Sequence, residues 1–222
     1  MSKGWGLWFW TWLTGQSDVP GRFFLTDQMV ALSNALSVGA GVVGNQPVRR
    51  NIAPGQEIVV FDGQLSRMRW GIVPVGRVNA RGRPVMEQII NARSETVFDK
   101  STFDGVGRAV IPVNGWYEWT GRKRRKTAWR IAPKVGGFLY FAAITDVWTA
   151  PGGLAVPQVA AVTCAPNADV APIHHRMGVL LERDDLSVWM GDDLNAAKAL
   201  MEPWAEGRLE VSEATDVDWG AP

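Results

Sequence analysis

Between Glu57 and Cys164 the sequence runs from one strand-like stretch to the next with no amphipathic helix between them: "EIVVFDGQLSRMRW", "GRAVIPVNGWYEW", "KTAWRIAP", "GFLYFAAITDVW" and "PQVAAVTCA". Each is rich in β-branched and aromatic residues and bounded by glycine, proline or charged turns. Strands that follow strands cannot build the βαβ crossovers of a parallel doubly wound sheet. The expectation is an α+β fold: a single domain with a curved, barrel-like mixed or antiparallel sheet and a few peripheral helices. Asp62-Gly63 reads as a two-residue hairpin turn. The helices lie at the margins. "TDQMVALSNALSVG" predicts one capped by Thr26 or Asp27, buried along Met29, Leu32 and Leu36, and closed at Gly39. "RDDLSVWMG" and "DDLNAAKALMEPWA" predict two more with aspartate caps, and "RLEVSEAT" a final edge strand.

A length of 222 residues with 46% hydrophobic content suits one core. Residues 20–222 form the expected domain, and residues 1–19 an extension ahead of it. That extension, "MSKGWGLWFWTWLTGQSDV", holds four of the chain's 12 tryptophans. Its apolar stretch is shorter than the ~20 residues a bilayer requires and makes a poor signal peptide, so no membrane partner is expected. Its periodicity fits a helix face and a strand face equally. A formal charge of +1 excludes binding to polyanions through a global field and leaves local basic grooves possible. Cys164 is the sole cysteine and no Cys/His cluster has zinc-site spacing, so the expectations are a cytoplasmic protein, no disulfide and no metal. No GxGxxG or Walker loop occurs, and no nucleotide cofactor is expected. The oligomeric state is left open.

Three polar positions stand in apolar surroundings. Glu118 in "NGWYEWTG" is either an outward-facing strand residue or a carboxylate desolvated enough to serve as a general acid/base. Asn91 in "IINARSETV" is either a turn residue or an amide that binds a ligand oxygen. His174 and His175 in "APIHHRMG" are the only two histidines of the chain, adjacent to each other. "GRKRRK", residues 121–126, offers five cations that suit either a phosphate contact or a solvated hairpin turn.

Taken in order, "GRFFLTD", "NIAPGQ", "RWGIVP", "INARSET", "NGWYEW", "FAAITDVW" and "APIHHRM" resemble the motifs of the SOS-response-associated peptidase family, over about Gly21 to Trp189. Members of that family sense abasic sites in single-stranded DNA. The resemblance implies an active site at Asn91, Glu118 and His174, phosphate-binding or pocket-ordering roles for Arg22, Arg93 and Arg176, and a base-stacking role for Trp70. It also implies a partner, single-stranded or abasic-site DNA, and no cofactor. An abasic deoxyribose opens from hemiacetal to aldehyde by proton transfers, which a buried carboxylate and an imidazole can exchange near neutral pH.

The family pattern begins Met-Cys-Gly-Arg, and the cysteine's amine and thiol trap the aldehyde as a thiazolidine. Here the matching stretch is "DVPGRFFLTD", with Pro20 at the nucleophile's position. Cys164, at a strand end, reads as a structural thiol. Gly178 stands where the family commonly has Pro, and Val75-Gly76 where a Trp often follows, which predicts altered groove edges. Three functions are then compatible with the sequence: a DNA binder without the cross-link, a covalent enzyme that uses Pro20 as an N-terminal amine after processing, and a non-DNA interaction protein that uses the tryptophan-rich arm.

Overall fold

The computed structural model describes residues 20–39, 43–44, 46–74, 88–122, 125–149 and 152–221. The tryptophan-rich arm, Val75-Gly76 and Lys123-Arg124 lie outside them. Thirteen strands are present among the described residues, in two sheets. The first is antiparallel with five strands. In spatial order these are β13 (Leu209–Glu213), β8 (Arg125–Pro133), β7 (Gly115–Arg122), β1 (Arg22–Leu25) and β2 (Arg49–Ile52).

The second sheet closes on itself. β10 (Ala155–Cys164) pairs antiparallel with β9 (Leu139–Thr149), β9 with β6 (Gly107–Val113), β6 with β3 (Glu57–Phe61), and β3 with β4 (Leu65–Trp70). β4 then returns to β10 in parallel, with Arg69 beside Gln158 and Trp70 beside Val159. Five strands thus form a ring with one parallel seam, the mixed, barrel-like sheet expected from the strand-rich middle. Closure removes the free edges that such a run would otherwise expose. The short β5 (Asn91–Arg93) joins the same side of β10 just beyond β4, and β11 (Met177–Gly178) and β12 (Leu180–Leu181) extend the other side.

The passage from β6 to β7 moves the chain from one sheet to the other. The sequence "GRAVIPVNGWYEW", which reads as one strand, is divided at Asn114. Its buried side chain accepts the Thr26 and Asp27 amides at 2.7 and 3.0 Å and donates to the Gly137 carbonyl at 2.9 Å. The first helix is also corrected. α1 (Met29–Leu36) begins after Gln28 with no side-chain cap, and it ends in a left-handed Ser37 rather than at Gly39. The Asp62-Gly63 turn proves to be a three-residue loop, since Phe61 pairs with Leu65. α2 (Leu186–Met190) has no side-chain cap at Asp185, whereas α3 (Leu194–Ala199) is capped by Asp193 as expected. β13 is an edge strand, as read from the sequence.

The core lies between the sheets. Phe23 of β1 packs on Trp70 at 4.4 Å and edge-on to Phe141 at 5.0 Å, and Trp116 of β7 meets Phe141 edge-on at 5.4 Å. Gly178 belongs to this packing and not to a groove edge. A Cβ on it would lie 2.1 Å from the Phe141 ring, so the size of Phe141 excludes any larger residue at that position. No helix among the described residues is long and apolar enough to cross a membrane.

Candidate active site

Pro20, two residues ahead of β1, is buried. Its carbonyl accepts from the Asn91 amide at 3.5 Å, which ties the start of the first sheet to β5 of the second. The approach is narrow because the next residue lies against an indole: a Cβ on Gly21 would sit 2.6 Å from the Trp119 ring. The other end of Asn91, its Oδ1, is buried without a hydrogen-bond partner among the described residues. An amide oxygen so placed is an acceptor that a ligand hydroxyl can fill.

Glu118 lies on β7, where Arg22 of β1 pairs with Tyr117. Side chains alternate along a strand, so Glu118 shares the inner face with Trp116, and it is 0% exposed. The outward-facing reading of Glu118 is therefore corrected.

His174 follows β10 on a turn and is half-buried, while His175 is exposed and its ring lies 4.3 Å from that of His174. The Arg176 amide lies 3.1 Å from His174 Nδ1, closer than the Arg176 carbonyl at 3.3 Å. As an acceptor from that amide, Nδ1 leaves the proton of a neutral ring on Nε2; as a donor to the carbonyl, it carries the proton itself. Arg176 itself is turned inward. It holds Glu95 through two hydrogen bonds of 2.6 and 3.0 Å and also reaches the Thr163 carbonyl and hydroxyl, with 15% of its side chain exposed. The guanidinium in turn keeps the Glu95 carboxyl below the ordinary range. Arg176 thus braces the histidine turn against the segment that follows Asn91.

The remaining residues separate into two groups. Arg22 is half-buried, bonded to Asn51 Oδ1 at 2.6 Å, and its guanidinium pKa is lowered by that burial. Arg93 is exposed at the end of β5. Trp70 is corrected: it is 0% exposed, packed on Phe23, with its indole N–H donating to the Ile90 carbonyl at 3.0 Å. It has no face for a base, and its role is to seat the parallel seam. Cys164 is buried in the core, and desolvation pushes its thiol up to about 12, so it is no nucleophile near neutral pH. Arg122, Arg125 and Lys126 lie at an exposed hairpin end.

Sequence reasoning did not assign Glu95, Thr163 or Asn51, whose importance comes from partners 81, 13 and 29 residues away. Two open depressions lie away from these residues. One, of about 300 Å³, is lined by Asn114, Arg130 and Lys134; the other, of about 330 Å³, by Asp62, Thr145 and Asp146. No cluster of metal-binding side chains occurs among the described residues.

Residues 19–217 match the sequence profile of the SOS response associated peptidase family. The chain belongs to that family. Among its SOS response associated peptidase relatives, abasic site processing protein YoqW of Bacillus subtilis is 28% identical over 179 residues, covering 75% of this chain and 79% of YoqW. Abasic site processing protein YedK of Escherichia coli is 26% identical, covering 69% and 70% of the two chains. The mouse abasic site processing protein HMCES is 27% identical but shares only 55% of this chain and 44% of its own. The fold is that of a protein from Bacteroides thetaiotaomicron, with a TM-score of 0.77 at 16% identity over 88% and 92% of the chains. It is also that of a phage-related protein from Bordetella bronchiseptica, with a TM-score of 0.68 at 24% identity over 88% and 94% of the chains.

Proposed function

We propose that this chain binds single-stranded DNA at abasic sites and, with residues 1–19 attached, forms no covalent cross-link. The observation that supports this most is the contact of Pro20 with Asn91. The position that carries the nucleophile in the family pattern lies against a candidate sugar-binding amide, and here it holds a tertiary amide with no lone pair to offer. Glu118 and His174 are the groups for proton exchange with the ring-opening sugar, Asn91 Oδ1 receives a sugar hydroxyl, and Arg22 and Arg93 serve the phosphates. Arg176 acts through Glu95 as a positioning residue.

Fluorescence-anisotropy titration with single-stranded and duplex oligonucleotides tests the binding. Affinity for the single strand should fall with salt by a log–log slope of roughly 0.7 per phosphate contacted. Absence of binding at low salt, or a preference for duplex, refutes the reading. The mass of the full chain should be unchanged by an abasic oligonucleotide.

The same contact favours a second reading. A protein prepared to begin at Pro20 carries a secondary amine beside Asn91. That amine adds to the sugar aldehyde and loses water to give an iminium, which borohydride reduces to a stable adduct. An adduct that disappears in Glu118→Gln supports this activity; no adduct from the shortened protein leaves the chain a binder.

A further inference from the structure

After β13 the chain turns back across the outer face of the five-stranded sheet. Ala214 donates its amide to the Ala128 carbonyl at 2.8 Å. Further on, the carbonyls of Asp218 and Ala221 accept from Asn51 Nδ2 at 3.1 and 2.6 Å. Trp219 lies edge-on to Tyr117 at 5.1 Å and tilted against Trp119 at 5.2 Å. The other end of the Asn51 amide, Oδ1, accepts from Arg22. Asp216 acts on the Tyr117 hydroxyl together with Arg50 and Arg130.

The covered face combines two aromatic rings, Tyr117 and Trp119, with the guanidinium groups of Arg22, Arg50 and Arg130. Flat rings among arginines are what a single strand requires, since bases stack on the rings and phosphates meet the cations. The covering segment, "TDVDWGA", has the complementary chemistry: two carboxylates and one large flat ring. Residues 218–221, which hold Trp219 and both carbonyls bonded to Asn51, lie beyond the stretch that matches the family profile. The anchor of the segment is therefore outside the matched frame.

We propose that residues 214–221 are a displaceable strap that imitates a short single strand and must leave this face before DNA can occupy it. The proposal rests on the single-strand-binding reading above. A segment held by a few hydrogen bonds and one half-buried ring opens at far lower cost than the core. A strap closed nine-tenths of the time weakens apparent affinity about tenfold.

The test compares three proteins: the full chain, a chain ending at Glu213 that keeps β13 whole, and full-length Trp219→Ala. Each is titrated at low salt with a fluorescent single strand of about twelve nucleotides. The shortened chain should bind about tenfold more tightly and Trp219→Ala about threefold. Saturating the full chain with DNA should also speed hydrogen exchange of amides 214–221. Trp219→Ala keeps the backbone intact and carries the test if the shortened chain does not fold. Equal affinities in all three with no change in exchange would overturn the strap while the binding reading stands. Tighter binding by the full chain would make the segment a clamp and overturn it too. If none of the three binds, the binding reading fails and the strap with it.

Discussion

Trp116 and Trp119 stand on the same strand and have opposite surroundings. Trp116 faces the ring of strands, is 0% exposed, and meets Phe141 edge-on in a core that continues through Phe23 and Trp70. Trp119 faces outward, is half-buried, and is covered by the Gly21 backbone and the Trp219 ring. One face is closed by dense packing within the described fold, while the other is closed by a segment of chain held at a handful of points. A strand so arranged can keep Glu118 in fixed, dry surroundings on its inner side and still offer an adaptable surface on its outer side.

The largest expected effect is on the inner face. Trp116→Ala should destabilise the protein by about 3–5 kcal/mol, measured by urea unfolding, because a large ring is removed from a core that cannot collapse. A cost near that of an outer-face substitution would break the contrast. Arg176→Ala should follow at about 1–2 kcal/mol, since its hydrogen bonds to the Thr163 carbonyl and hydroxyl and to half-exposed Glu95 are lost together. Trp219→Ala on the outer face should cost about 1 kcal/mol, the scale of an aromatic pair at a half-open site.

Two smaller effects appear in the pH dependence. The Glu95 carboxyl is depressed in the folded state, so its contribution is present above its unfolded pKa of about 4.3 and lost as pH falls through the folded value. Glu95→Gln should flatten that part of the acid limb of the unfolding curve. Cys164 is raised, so the unfolded chain loses the thiol proton first and stability falls as pH rises from about 8.5 toward 12. Cys164→Ala should narrow the gap between urea midpoints measured at pH 8 and pH 10. An unchanged gap would show that the thiol is less deeply enclosed than its neighbours indicate.

The strand-rich middle, the marginal helices and the terminal edge strand were legible because each carries its own local pattern of burial and turns. Asn114 was not, because the division of one apolar run between two sheets depends on amides 87 and 88 residues away. Motif order proposes Asn91, Glu118 and His174 as site residues, and their surroundings depend on pairing across the fold. Trp70 shows the limit most clearly. Its motif suggested an exposed ring, but the parallel seam beside Val159 places it in the core. Nothing in the spacing of Arg176 indicated that its charge is spent on Glu95.

The ring of strands also sets an order in time. β10 pairs with β9, with both β4 and β5, and with β11, so the barrel cannot close until residues 155–164 have left the ribosome. Until then β4 and β5 carry unpaired edges, and Asn91 has no strand beside it. Contacts between segments so far apart in sequence form slowly. The candidate active site is therefore assembled late, and a nascent chain stalled before β10 holds four of the first sheet's five strands, lacking β13, and has no strand to order Asn91.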